Sequence, residues 1–224
     1  MELYTPSAKN ALRNSFWLVF DNIGILIVFN LIFLLSSSLL ITIPLSCGAI
    51  FHVTQKIIEN KETTLADYYR GILLYGIRFS LTYGAYILII ILCLINIMFY
   101  THFDSLLSLV LLGWTILFLL TGLLMALYIS TLILTTKNIF SVLKTSFVFL
   151  ATNLIFSLKI FLLLALLTTA FLLTLAPFFF ILFSFVAMFL NCAYIEVTTR
   201  YTGKKLTYAH NRSFVKEFLV PPRA

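Results

Sequence analysis

Six stretches of the chain are apolar almost without interruption, at residues 16–41, 44–58, 77–100, 106–135, 154–175 and 178–199, with short polar connections between them. A bilayer's hydrocarbon core is about 30 Å thick and takes about 20 apolar residues per helix. Five of the six stretches are long enough. The second is shorter and carries Ser46, His52, Thr54 and Gln55, so its own composition fits a re-entrant or partly interfacial helix as well as a crossing. The pattern predicts an all-α, polytopic transmembrane helical bundle of six spans, arranged as three in-out-in hairpins. The first stretch follows Lys9 and Arg13 but is longer than a signal-peptide core and has no small-x-small cleavage site, so it reads as a retained span.

Charge orients these segments. Lys and Arg accumulate in cytoplasmic loops, most clearly in short ones. With six crossings and a cytoplasmic N-terminus, the inside parts are the N-terminal arm, the stretch from Lys56 to Arg78, the stretch from Lys137 to Lys159, and the chain from Arg200 onward. All 15 Lys and Arg fall there. The three outside connections hold none, and the middle one, Thr101-His102-Phe103-Asp104, holds an acid. If 44–58 did not return the chain inward, the segregation would break at Lys56. Charge therefore favours six crossings over five, with both termini cytoplasmic and residues 201–224 forming a cytosolic basic tail.

Composition agrees. The chain is 62% hydrophobic and 10% charged, against about 45–50% and about 25% in soluble domains. A net charge of +7 would elsewhere suggest nucleic acid, but here the positive charge marks one membrane face, so lipids are the expected partner and nucleic acid is not.

The hairpins show an internal repeat. Leu12-Arg13-Asn14-Ser15-Phe16, Ile77-Arg78-Phe79-Ser80-Leu81 and Leu143-Lys144-Thr145-Ser146-Phe147 each precede an outward-going span. Their basic residues are 65 and 66 positions apart, and Asn22 and Asn153 share the summed offset of 131. Pro44 and Pro177 mark the first and third outer turns.

Catalytic chemistry is not expected. The chain has no Walker loop, GxGxxG, HExxH or GxSxG. His52, His102 and His210 sit on different segments and cannot share one metal, and the carboxylates map to loops and helix ends. Cys47, Cys93 and Cys192 read as small apolar helix residues. Neither an enzyme nor a cofactor is expected.

Polar residues at membrane depth are costly unless they meet a partner or a water-filled cavity. Asn30, His52, Asn96 and Asn191 are candidates for a lined solute path, and interhelical hydrogen bonding is the competing and favoured account. Glu196 and Arg200 have the spacing of an i,i+4 ion pair. Two small-residue stripes, Gly76-x-x-x-Ser80-x-x-x-Gly84 and Gly122-x-x-x-Ala126-x-x-x-Ser130, predict a close seam between the third and fourth spans. Thr64 followed by Asp67 signals a helix start. Leu65, Tyr69, Ile72, Leu73 and Gly76 then share a face, which predicts a separate interfacial helix over 64–76 lying flat on the membrane. Arg70, Arg78 and Tyr69, with Phe214 and Phe218 of the tail, are the candidate surface for docking a partner or lipid.

Two stretches resemble a known family. Thr42-Ile43-Pro44 with Ala49-Ile50-Phe51-His52-Val53-Thr54-Gln55-Lys56, and Asp67-Tyr68-Tyr69-Arg70 through Arg78-Phe79, are similar to the YesL-like bacterial membrane proteins, a domain of unknown function. Ile43 stands where the family has a glycine before the proline. The resemblance implies a bacterial inner-membrane location and, through the family's association with carbohydrate uptake, a non-enzymatic accessory role beside a transporter subunit. It carries no catalytic residues. A small-solute transporter or channel is the alternative, and an intramembrane enzyme the third.

Overall fold

In the computed structural model, residues 5–37, 42–173 and 179–202 are described, together with the side chains of most of them, and the chain there is helical. The elements are α1 (Ala8–Asp21), α2 (Ile23–Ser36), α3 (Ile43–Ile58), α4 (Leu65–Tyr100), α5 (Leu106–Thr135), α6 (Ile139–Thr152), α7 (Leu154–Leu173) and α8 (Phe179–Thr202). Several are long and apolar enough for a membrane. Among the described residues α4, α5, α7 and α8 qualify individually, and the bent pair α1–α2 counts as a fifth candidate.

The first expected span is not one helix. The chain bends by 91° between α1 and α2, so residues 16–21 belong to a separate amphipathic helix. Asn22 makes the break. Its backbone leaves helical geometry at φ −119° and ψ 21°, and its side chain donates to Leu18 O at 2.9 Å. Asn competes for backbone partners in this way, which is why it interrupts helices. On α1, Ala11, Ser15 and Val19 form the buried stripe, while Phe16, Trp17 and Phe20 are exposed.

The repeat extends well beyond the matched residues. At the offset of 131, α1 corresponds to α6, Asn22 to Asn153 and the start of α2 to the start of α7. Asn153 also donates back, to Phe149 O at 3.2 Å. Ser15 and Ser146 each donate to the carbonyl three residues earlier at 2.8 Å. The buried stripes match as well, Ala11, Ser15 and Val19 against Val142, Ser146 and Leu150. In the middle copy the position of the two asparagines is Ile87. No side chain there competes for the backbone, and α4 runs unbroken for 36 residues.

That continuity corrects the expectation of a flat helix over 64–76, because those residues are the first turns of α4 itself. It also makes α4 ~54 Å and α5 ~45 Å long at a rise of about 1.5 Å per residue, while the 16 residues of α3 span only ~24 Å. The stretch expected as the inside connection 137–159 is likewise largely helical, as α6 and the start of α7.

The three units close into a ring. Each returning helix packs along the first helix of the next unit, α3 on α4, α5 on α6 and α8 on α1. The returning helices also meet one another at the centre, where Phe51, Val53, Leu127, Met188, Phe189 and Val197 are buried. The half of α4 that ends at Tyr100 and the half of α5 that begins at Leu106 carry a run of exposed apolar side chains, including Leu88, Leu92, Met98, Leu109, Trp114 and Phe118, as a surface in a membrane requires.

Candidate functional site

The residues expected to line a solute path are not brought together. Asn30, on α2, is fully buried, and its Oδ1 accepts from Ser184 N at 3.0 Å and Ser184 Oγ at 3.1 Å, joining α2 to α8. Asn191, on α8, donates to Phe51 O at 3.2 Å and Thr54 Oγ1 at 2.9 Å, joining α8 to α3. His52 lies beside the Tyr75 ring at 5.3 Å. Asn96 is exposed near the end of α4. Asn30 and Asn191 are helix-to-helix clamps, so for these two interhelical bonding is the account the geometry supports.

The expected small-residue seam also shifts. Gly84 has nothing within 4 Å of where a Cβ would stand, so it lies in no seam. Gly76 faces α3 instead of α5, with a Cβ there falling 2.8 Å from Leu45 Cδ2. Gly122 abuts the Tyr86 ring and Ser130 bonds the Tyr83 hydroxyl, so tyrosines fill the α4–α5 contact on the α4 side. Ser80 and Ala126 are half-buried. The close approach is between α3 and α4: a Cβ at Gly71 would come 2.7 Å from Ala49 Cα, and one at Gly48 3.2 Å from Gly76 N.

A polar knot fixes the start of α4. Thr64 N donates to Asp67 Oδ2 at 3.0 Å, as the expected helix-start signal requires. Lys56 Nζ, at the end of α3, reaches Asp67 Oδ1 at 2.7 Å. The hydrogen bond from Lys56, then that from the Thr64 amide, hold the Asp67 carboxyl down at about 2. Tyr68 stacks on Phe29 with ring centroids 5.9 Å apart and its hydroxyl lies 3.4 Å from Ser36 Oγ, which ties α4 to α2 as well. Arg70 and Tyr69 remain exposed and Arg78 is half-buried. Phe214 and Phe218 lie outside the described residues.

A cavity of about 900 Å³ opens between the start of α1, the α6–α7 break and the end of α8. Lys9, Lys159 and Arg200 line it, and among the described residues no carboxylate does. Arg200 Nη1 donates to Asn153 Oδ1 at 2.8 Å, so it is held at the break instead of in the expected i,i+4 pair. Glu196 Oε2 accepts from Ser7 N at 3.3 Å behind the lining. Sequence reading flagged Lys9, Lys159, Arg200 and Asn153 singly. Their convergence has no local signal, because it depends on ring closure bringing residues about 150–190 positions apart together.

Among the described residues no group of His, Cys, Asp and Glu could hold a metal ion. Cys47, Cys93 and Cys192 form no disulfide. No family model matches the chain, and no curated protein or solved structure matches it.

Proposed function

We propose that this chain is a multi-pass protein of a bacterial inner membrane that acts as a non-enzymatic accessory to another membrane component. The observation that carries the reading is the engagement of Asn30 and Asn191 in bonds between helices. These polar side chains brace a packed centre, which leaves the exposed faces as the parts offered to partners. On the cytosolic side those faces are the Arg70 and Tyr69 surface and the basic cavity. The carbohydrate-transporter partner rests on the YesL-like resemblance.

Six crossings with both termini inside form the topology of this proposal. The segregation of all 15 basic residues supports it. So does the meeting of Lys9, Lys159 and Arg200 at one cavity, which places the starts of α1 and α7 and the end of α8 at one level. In a chain stripped of its native cysteines, Thr101→Cys should label from outside and Lys137→Cys from inside, and labelling of both from the same side refutes the topology.

The functional test has two arms. Purified protein in liposomes should pass no sugar. The wild type should co-purify a transporter subunit from native membranes, and Arg70→Glu should lose it without losing insertion. Sugar flux by the protein alone would replace the accessory reading with that of a transporter.

A further inference from the structure

The accessory reading assigns the basic cavity no ligand, yet its construction is specific. Three cationic side chains reach it from three helices, Lys9 from α1, Lys159 from α7 and Arg200 from α8. Among the described residues the ion pairs Lys56–Asp67, Lys61–Glu59 and Arg70–Asp67 involve neither Lys9 nor Lys159, whose charge stays available to a ligand. Glu196 is the acid behind the wall, and it already accepts the Ser7 amide. The bond from Arg200 to Asn153 fixes the guanidinium at the rim and leaves it further N–H donors for an anion. The first turns of α1 and α7 also line the cavity, and helix starts favour negative charge.

The surroundings select among anions. Beside Lys159, α7 presents Ile155 at 72% exposure and Leu162 at 64%. An apolar wall running down from a cationic pocket at a membrane face suits a headgroup above and an acyl chain below. The exposed Trp17 of α1 belongs to the residue type that concentrates at headgroup level.

We propose that this cavity binds a phosphate ester, supplied by an anionic phospholipid, with Lys9, Lys159 and Arg200 holding the phosphate and the exposed flank of α7 against the lipid chains. The site needs no transporter partner, so its failure and that of the accessory reading are separable.

The test uses full-length protein in neutral detergent, with melting temperature followed during titration of short-chain phosphatidylglycerol, short-chain phosphatidylcholine or glycerol phosphate. Phosphatidylglycerol should stabilise the wild type saturably and phosphatidylcholine should not. Lys9→Gln with Lys159→Gln should weaken the phosphatidylglycerol response about thirtyfold, and Lys159→Gln alone about fivefold, the attraction expected of two and one basic residues at a membrane surface. The charge-matched control Lys61→Gln with Lys137→Gln, two exposed lysines away from the cavity, should bind as the wild type does, and Lys9→Arg with Lys159→Arg should keep the site. Should glycerol phosphate match the lipid, the phosphate site stands and its source is a soluble ester. An unchanged response in the Lys9 and Lys159 variants, an equal loss in the control pair, or equal stabilisation by phosphatidylcholine overturns the proposal.

Discussion

Replacing Gly71 by alanine tests the α3–α4 contact most directly, because geometry and helix propensity pull in opposite directions. A Cβ at Gly71 would lie 2.7 Å from Ala49 Cα and 3.1 Å from His52 Cβ. The first neighbour is backbone, so the helices must part instead of one side chain turning away. Overpacking costs about 1–3 kcal/mol, and a clash with main chain belongs in the upper part, about 2–3 kcal/mol. Removing a helical glycine returns about 1 kcal/mol. The net expectation for Gly71→Ala is a loss of about 1–2 kcal/mol. Gly84→Ala is the internal reference. It meets nothing within 4 Å, so only the propensity gain applies and the protein should be up to about 1 kcal/mol more stable. Thermal melts in detergent, followed by the loss of the monodisperse peak on size-exclusion chromatography, rank the three proteins. The expected order is Gly84→Ala, wild type, Gly71→Ala. A Gly71→Ala protein that melts at or above the wild type would show that the helices are not in contact there, and the packing argument for the whole α3–α4 hairpin would fall with it.

Asn191→Leu removes the donor shared by Phe51 O and Thr54 Oγ1 and should cost about 0.6–1.7 kcal/mol, from the average to the maximum found for hydrogen bonds between membrane helices; the same melts would show it, and a silent variant would deny the clamp. The Asp67 carboxyl is held down at about 2 from an ordinary 3.8, so its contribution is fully present above about pH 4 and is lost as pH falls toward 2. Lys56→Met should therefore lower stability at neutral pH and flatten the loss between pH 4 and 2, and an unchanged pH profile would show that the Lys56 bond is not what holds the carboxylate.

The chain's apolar runs and the Thr64–Asp67 helix start were legible without coordinates. Each is a local property: a helix must present apolar groups wherever it meets lipid, and a cap is made by residues three apart. The repeat was partly legible for the same reason, since Asn22 and Asn153 interrupt their helices through bonds to their own preceding turns. What those interruptions mean in space was decided only by the tertiary structure. Asn22 marks a weak point in the helix, but the 91° bend follows from the stripe of Ala11, Ser15 and Val19 being buried in α1, which packs along α8 nearly two hundred residues away. The amphipathic pattern at 64–76 runs on into α4 without a break, and Gly71 seats that part of the helix against Ala49. The seam moved from Gly84 to Gly71 and Gly76 because spacing alone names a stripe of small residues and leaves open which neighbour faces it. Lys9, Lys159 and Arg200 share one cavity only because α8 returns to α1 and closes the ring, and such closure is a sum over contacts that no single stretch of sequence contains.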